Sequence, residues 1–186
     1  SIFLDGTDLN EIHSKELRKR IGTVLQDFHI FSGTIYDNIS LGDPNIDLDK
    51  VIKASKTVNA HSFIDALPLR YDTVLSERGQ NLSQGQRQLL AFARVLAADP
   101  EILVLDEATA NIDTETELLI QDALEKITRG RTSIVIAHRL QTIQEADRVL
   151  VFNNGIIEEL GSHEELLQVN GLYATLHKLQ FQEERG

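Results

Sequence analysis

Three apolar runs of strand length, each ending at a polar side chain, constrain the fold of this chain most strongly. They are "TVL" before Gln26, "ILVL" before Asp106 and Glu107, and "SIVIA" before His138. Helical patterns separate the last two runs, and buried strands that alternate with helices are typical of a parallel sheet with helices on its faces. We therefore predict an α/β fold in which the polar ends meet at one sheet edge, where open parallel sheets bind ligands.

The neighbouring carboxylates of Asp106 and Glu107 predict a cation site at that edge. Two carboxylates at the end of a buried strand repel each other and lose hydration unless a cation balances them. Mg²⁺ suits this position, because one or two carboxylates typically hold it together with substrate phosphates. Asp106 would hold the metal directly or through water, and Glu107, pointing the other way, would orient or deprotonate a water molecule. For Gln26 or His138 taken singly, a structural interpretation is the alternative, because any strand that leaves the core must end at a polar residue.

The stretch "NLSQGQRQLLAFARVL" predicts a helix whose start faces an anion. Ser83 and Gln86 match a capping box, and that purely structural reading stays open as an alternative. Capping leaves Gly85 unexplained, since glycine in a helical turn costs about 1 kcal/mol relative to alanine. A helix start offers free N–H groups and a positive dipole end, so a phosphate is the natural ligand. An apolar stripe would anchor this helix, formed by Leu89, Phe92, Ala93 and Leu96.

Composition limits the classes of partner. The 186 residues are 41% hydrophobic, and 18 basic against 29 acidic residues give 18 − 29 = −11, which would repel nucleic acid. No apolar run is longer than a strand, so membrane contact would require a partner. There is no cysteine and hence no disulfide framework or thiolate metal site.

Local signals predict further elements along the chain. Hydrophobic period and turn residues favour an opening strand that runs into the Asp5-Gly6 turn. They also favour a hairpin turn at Asn153 to Gly155 and a final pair of helices, the first opened by Ser162 and Glu165. Other helices are expected at Ser14 as N-cap, at 47–57, at 61–67, at 115–127 and at 140–146.

The run "LSQGQRQLLAFARVLAADPEILVLDEATANID" resembles the nucleotide-binding domain of ATP-binding cassette (ABC) transporters. It is similar to the family signature, its helix, the Walker B strand and the D-loop in unbroken order. Gln26 falls at the Q-loop glutamine and His138 at the switch histidine. The segments "FSGTIYDNI" and "ERGQ" resemble the exporter branch, where they lie near the coupling helices of the transmembrane domain. The resemblance implies an ABC-type P-loop ATPase core with a mostly parallel sheet, plus a helical signature subdomain.

For the catalytic side, the resemblance implies ATP and Mg²⁺ as ligands and phosphoryl transfer to water as the reaction. Asp106 would help to bind Mg²⁺, Glu107 would be the catalytic carboxylate, and His138 would contact the terminal phosphate. Gln26 would sense the metal and the water and pass the change to the transmembrane domain. The implied location is the cytoplasmic face of the cell membrane, as part of a transporter.

For the other half of the site, the resemblance implies a dimer of nucleotide-binding domains. The residues that would clamp the terminal phosphate of ATP on the opposite domain are Ser83, Gln84, Gly85 and Gln86. Asp113 and its neighbours would cross the dimer interface. Gln84 replaces the first glycine of the usual LSGGQ and "ANID" replaces the commoner SALD, so the pair can be of identical or of different chains.

The phosphate-binding motif G-x-x-x-x-G-K-[ST] does not occur in the sequence. We therefore expect the N-terminal strands, the Walker A loop and the first helix to be absent. We also expect Ser1 to be an internal residue of a longer polypeptide. This segment alone is expected to be inactive. The expected layout is 1–31 for part of the RecA-like core with the Q-loop, 32–98 for the helical signature subdomain, 99–161 for the core with Walker B, D-loop and switch histidine, and 162–186 for C-terminal helices.

Two alternative functions belong to other classes. One is an ABC ATPase that acts on DNA or the ribosome, which would need basic surfaces that this acidic chain lacks. The other is a non-catalytic fragment that only dimerises or regulates. Glu107 and His138 argue against the second for the parent protein.

Overall fold

The computed structural model describes residues 1–25, 29–106, 113–137 and 140–183. The chain divides into two compact units, Ser1–Ile136 and Ala137–Gly186. Gln26, Glu107 and His138 lie outside the described residues.

The strands and helices follow one another in the order that the sequence pattern indicates. The strands are β1 (Phe3–Leu4), β2 (Thr7–Asp8), β3 (Ile21–Val24), β4 (Gly33–Thr34), β5 (Val74–Leu75), β6 (Ile102–Asp106), β7 (Thr132–Ile136), β8 (Val149–Asn153) and β9 (Ile156–Gly161). The helices are α1 (Ser14–Arg20), α2 (Ile35–Ser40), α3 (Leu48–Thr57), α4 (His61–Asp65), α5 (Gln84–Ala98), α6 (Thr114–Thr128), α7 (Leu140–Gln144), α8 (His163–Val169) and α9 (Leu172–Glu183).

A three-stranded parallel sheet forms the centre of the first unit, with strand order β3-β6-β7. Val24 pairs with Leu105, and Leu105 pairs with Val135, so the strands run in step toward one edge. The prediction of an α/β fold with a parallel sheet is confirmed. The strand order also makes the strand before Gln26 and the strand before His138 the two neighbours of β6.

The two faces of this sheet differ in burial. Leu103 and Leu105 point into the core shared with α5 and α6 and are 0% and 2% exposed. On the other face, Ile134 and Ile136 of β7 are 58% and 53% exposed. Among the described residues, helices therefore cover one face of the sheet, and Asp106 lies at the end of the less covered face.

A helical lobe precedes β6 and packs around α5. Its fully buried side chains come from α2, α3, α4 and α5, and they include Ile35, Ile39, Val51, Ile64 and Leu90. The lobe also contains a short antiparallel pairing of β4 with β5. Two-residue strands carry no periodic signal, so the sequence pattern indicated only helices here.

The second unit is a hairpin with helices behind it. β8 and β9 pair antiparallel around Asn154 and Gly155, whose φ values of 48° and 80° match the predicted turn. Ser162 and Glu165 form the predicted capping box at the start of α8. Val151, Leu166 and Tyr173 form the buried core of this unit.

One local prediction is wrong and the other bounds differ slightly. Ser14 does not cap α1: it is the first helical residue, and the Nδ1 atom of His13 accepts from the N–H of Lys15 at 3.3 Å. An imidazole nitrogen can act as a cap acceptor, and the sequence rule favoured the serine. Helices expected at 61–67 and 140–146 end earlier, at Asp65 and Gln144.

Candidate functional site

The edge of the parallel sheet brings the predicted site strands together. Val24, Leu105 and Val135 form one row across the sheet. In the sequence, Gln26 is the second residue after Val24, Glu107 is the second after Leu105, and His138 is the third after Val135. The positions of these three side chains are not described, and the row identifies only the edge that their strands reach.

Asp106 is the one predicted metal ligand that the structure describes. It ends β6 next to Ile136 of β7, and it is partly exposed. A partly exposed carboxylate at a sheet edge fits Mg²⁺, which needs one or two carboxylates and takes its other ligands from water and phosphate. Within residues 1–25, 29–106, 113–137 and 140–183, no group of three or more His, Asp or Glu side chains could hold a metal alone.

The start of α5 is built by a reciprocal cap. The Ser83 hydroxyl accepts from the N–H of Gln86 at 3.2 Å, and the Gln86 Oε1 atom accepts from the N–H of Ser83 at 3.0 Å. Ser83 is exposed, whereas Gln84 and Gln86 are partly exposed. The predicted capping box is present, and the helix start remains accessible from outside the chain.

Gly85 is buried, unlike its neighbours at the helix start. The approach of a phosphate to Gly85 stays a prediction.

Arg87 fixes the loop that leads into α5. Its Nη1 atom donates to the carbonyl oxygen of Leu82 at 2.8 Å and to that of Gly79 at 3.4 Å. Leu89, Phe92 and Ala93 are buried, and Leu96 packs against the same core while partly exposed. The predicted apolar stripe therefore anchors the helix, and Arg87 ties its start to the preceding turn.

Asp113 caps α6. Its carboxylate accepts from the N–H of Thr116 at 2.9 Å, and this backbone hydrogen bond is the main reason why the pKa of Asp113 lies below its usual value. Asp113 is exposed. The structure thus gives it a capping role, and a role across a dimer interface stays a prediction.

Two polar residues of the helical lobe lie in a network that sequence reasoning missed. Asn38, 1% exposed, contacts the backbone of Phe31, and Arg94 of α5 donates to the carbonyl oxygen of Asn38. The segment "FSGTIYDNI" gave a signal in its resemblance to exporters, but no role for its asparagine. An asparagine within a helical pattern is usually exposed, so its burial could not be read from the pattern.

Among the described residues, no helix is long and apolar enough to cross a membrane. A parallel sheet whose strand β6 ends at Asp106, flanked by a helical lobe with an accessible helix start, is the α/β arrangement that the sequence predicts for a nucleotide-binding ATPase. A family profile described as "ABC transporter" matches residues 1–110. The chain belongs to the ABC transporter family.

The chain is similar to several characterised and uncharacterised family members. It is 51% identical over 181 residues to the "Uncharacterized ABC transporter ATP-binding protein YfiC" of Bacillus subtilis, covering 97% of this chain and 30% of that protein. It is 51% identical over 182 residues to the "ATP-dependent lipid A-core flippase" of Chromohalobacter salexigens, covering 98% of this chain and 31% of that protein. The chain therefore spans somewhat less than a third of these relatives.

The fold is also similar to that of a solved structure, described as a bacterial Atm1-family ABC exporter with ATP bound. The TM-score is 0.86 at 41% sequence identity, over 96% of this chain and 31% of that chain. The mixed α/β ABC ATPase fold predicted from the sequence is thereby confirmed, as is the resemblance to exporter-type ATPases.

Proposed function

We propose that the chain is part of the ATP-hydrolysing motor domain of an ABC exporter. The relatives support this proposal by their names, which describe ATP-binding proteins of ABC transporters and an ATP-dependent flippase. The observation that carries it is the order β3-β6-β7, since the strands before Gln26, Glu107 and His138 end side by side.

At this edge, each side chain has a proposed role. Asp106 helps to hold Mg²⁺, which when bound neutralises charge on the phosphates. Glu107 accepts a proton from the attacking water, and His138 contacts the terminal phosphate. Gln26 contacts metal and water, and its loop faces the transmembrane domain. Positioning and charge stabilisation account for most of the rate in such a reaction.

A second nucleotide-binding domain completes the proposed site. At the start of α5, Ser83, Gln84, Gly85 and Gln86 would contact the terminal phosphate of ATP bound to the opposite domain, with the buried Gly85 contributing its backbone, while Asp113 would lie at the interface. Free N–H groups at a helix start bind anions, and the capping box orders them without covering Ser83. The partner domain is a second copy or a related chain.

The domain layout and location follow from the same proposal. Residues 1–31 and 99–161 belong to the RecA-like core, 32–98 to the helical signature subdomain, and 162–186 to C-terminal helices. The transmembrane domain of the transporter holds the motor at the cytoplasmic face of the cell membrane. Nucleic acid is not a partner, because the net charge of −11 opposes binding to phosphodiesters.

ATP hydrolysis by the parent protein tests the proposal. We expect Mg²⁺-dependent hydrolysis that falls by roughly a thousandfold or more in Glu107→Gln, because the general base is lost. The matched control is Glu125→Gln, an exposed position near the end of α6. Unchanged hydrolysis in Glu107→Gln would refute the catalytic assignment.

Calorimetry on the segment 1–186 tests the proposed need for a phosphate loop. We expect no binding of Mg-ATP in the micromolar range, since the sequence has no lysine-bearing phosphate loop. Micromolar binding would contradict this part of the proposal and leave the hydrolysis assay of the parent unaffected.

A further inference from the structure

Asn38 binds the backbone N–H and carbonyl oxygen of Phe31 through the two polar atoms of its side chain. The Oδ1 atom of Asn38 accepts from the N–H of Phe31 at 2.8 Å, and its Nδ2 atom donates to the carbonyl oxygen of Phe31 at 2.9 Å. Nδ2 also donates to the carbonyl oxygen of Thr34 at 3.0 Å. The carboxamide therefore supplies the backbone of Phe31 with partners just before β4, in the segment 29–34 that follows the predicted Q-loop.

Arg94 joins this segment to α5. Its Nε atom donates to the carbonyl oxygen of Asn38 at 2.8 Å, and its guanidinium lies 5.5 Å from the centre of the Phe31 ring. Burial lowers the pKa of Arg94, and its buried Nη2 atom has no partner among the described residues.

A second contact joins the same two regions. Ile30 is 4% exposed, and its side chain lies so close to Gly79 that a Cβ there would come within 3.1 Å of it. Gly79 in turn accepts from Arg87 of α5. The segment 29–34 is thus tied to α5 at two places, one polar and one apolar.

We propose that Asn38 and Arg94 are positioning residues that hold the segment after Gln26 to the signature helix α5. The occupation of the α5 start by a phosphate on the opposite domain then reaches segment 29–34 of the same chain through these side-chain contacts. This inference rests on the proposed function and adds to it two residues that join the signature helix to the segment after Gln26.

Two rigidly linked regions should respond to nucleotide together, whereas two merely adjacent regions should not. The readout is amide hydrogen exchange, which reports local opening without requiring turnover. The intact parent protein carries Glu107→Gln so that Mg-ATP, the added probe, is not consumed. We expect ATP to slow exchange both at 83–86 and at 29–34.

Asn38→Ala breaks the link in this background. We expect exchange at 29–34 to rise about tenfold, as for the loss of a buried hydrogen bond, and to lose its response to ATP, while 83–86 keeps its protection. Arg94→Lys retains the charge and one donor, so we expect a partial loss. The control is Val51→Ala, which opens a cavity in the same lobe at a residue that is 0% exposed; it should preserve the joint response.

The outcomes separate the two proposals. Protection at 83–86 with no ATP response at 29–34 in the unsubstituted chain overturns the coupling and leaves the proposed function intact. A joint response that survives in both Asn38→Ala and Arg94→Lys also overturns it, as does an equal loss in Val51→Ala, which would indicate general loosening. No ATP response at 83–86 at all overturns the proposed function, and the coupling with it.

Discussion

Asn59 and Asp122 join the helical lobe to the helix that follows the D-loop. The Nδ2 atom of Asn59 donates to the Oδ2 atom of Asp122 at 2.6 Å and to the carbonyl oxygen of Leu119 at 3.1 Å. Asn59 has a φ of 63° just beyond the end of α3, a conformation that asparagine tolerates better than most residues. Asn59 therefore turns the chain away from α3 through its backbone and binds α6 through its side chain.

The Asn59–Asp122 contact predicts an acid-dependent loss of stability. Lys126, and then Asn59, hold the pKa of Asp122 below its ordinary value. Because the folded pKa is lowered, the contribution is present above the ordinary pKa of about 3.9 and is lost as the pH falls through the lowered value. Asp122→Asn should therefore flatten the dependence of stability on pH below about 5.

Urea unfolding at a series of pH values measures this effect on a nucleotide-binding domain that includes the chain. Asn59→Ala should lower the free energy of unfolding by about 1 kcal/mol at neutral pH. A pH dependence that is the same with and without the Asp122 carboxylate would contradict the assignment.

Ser83→Ala should separate capping from phosphate binding. We expect a loss of about 1 kcal/mol of stability from the missing cap, and a fall in ATP hydrolysis by the parent on the order of a hundredfold from the missing phosphate contact. Thermal unfolding and an ATPase assay measure the two effects.

Ser162→Ala is the matched control for Ser83→Ala. Ser162 makes the same reciprocal cap with Glu165, at 3.2 Å and 2.8 Å. Its loss should cost similar stability and leave hydrolysis within about twofold, since surface caps act locally. Equal falls in hydrolysis for both variants would show that Ser83 acts only as a helix cap.

Asp106→Asn should weaken the response to Mg²⁺. The change removes the charge that the metal requires, so the Mg²⁺ concentration for half-maximal hydrolysis should rise at least about tenfold. Chelation of Mg²⁺ should abolish hydrolysis in both forms. Asp49→Asn, at an exposed position of α3, is the control and should leave the Mg²⁺ titration unchanged. If Asp106→Asn leaves the Mg²⁺ titration unchanged, Asp106 is not a ligand of the metal.

Gly22→Ala should destabilise the central sheet. A Cβ at Gly22 would lie 2.6 Å from Cγ of Pro100 and 2.9 Å from Cγ1 of Val95. Such overpacking costs about 1–3 kcal/mol. Thr23→Ala on the opposite, exposed face of the same strand is the control. Equal melting temperatures for the two variants would show that α5 can move away from β3 without cost.

The sequence predicted those parts of the fold that short-range rules decide. The caps at Ser83 and Ser162 and the turn at Asn154 depend on neighbouring residues alone, and they are confirmed. The strands β3, β6 and β7 were predicted as members of one parallel sheet because continuous apolar runs indicate burial on two faces. Their order, β3-β6-β7, is a tertiary fact that no run of letters contains.

The parts that sequence reasoning missed depend on contacts between distant residues. The local pattern gives Asn38 no special role, because Arg94, which donates to the backbone carbonyl group of Asn38, lies 56 positions away. Asn59 and Asp122 are 63 positions apart. The burial of Gly85 likewise depends on packing and could not be read from the local pattern.

The uneven cover of the central sheet has a practical consequence for anyone who produces this chain by itself. Ile134 and Ile136 lie on the exposed face of β7, and β7 pairs with β6 alone among the described strands. An exposed apolar face next to an unpaired strand edge promotes self-association between copies of the chain. Expression of residues 1–186 alone is therefore expected to favour inclusion bodies.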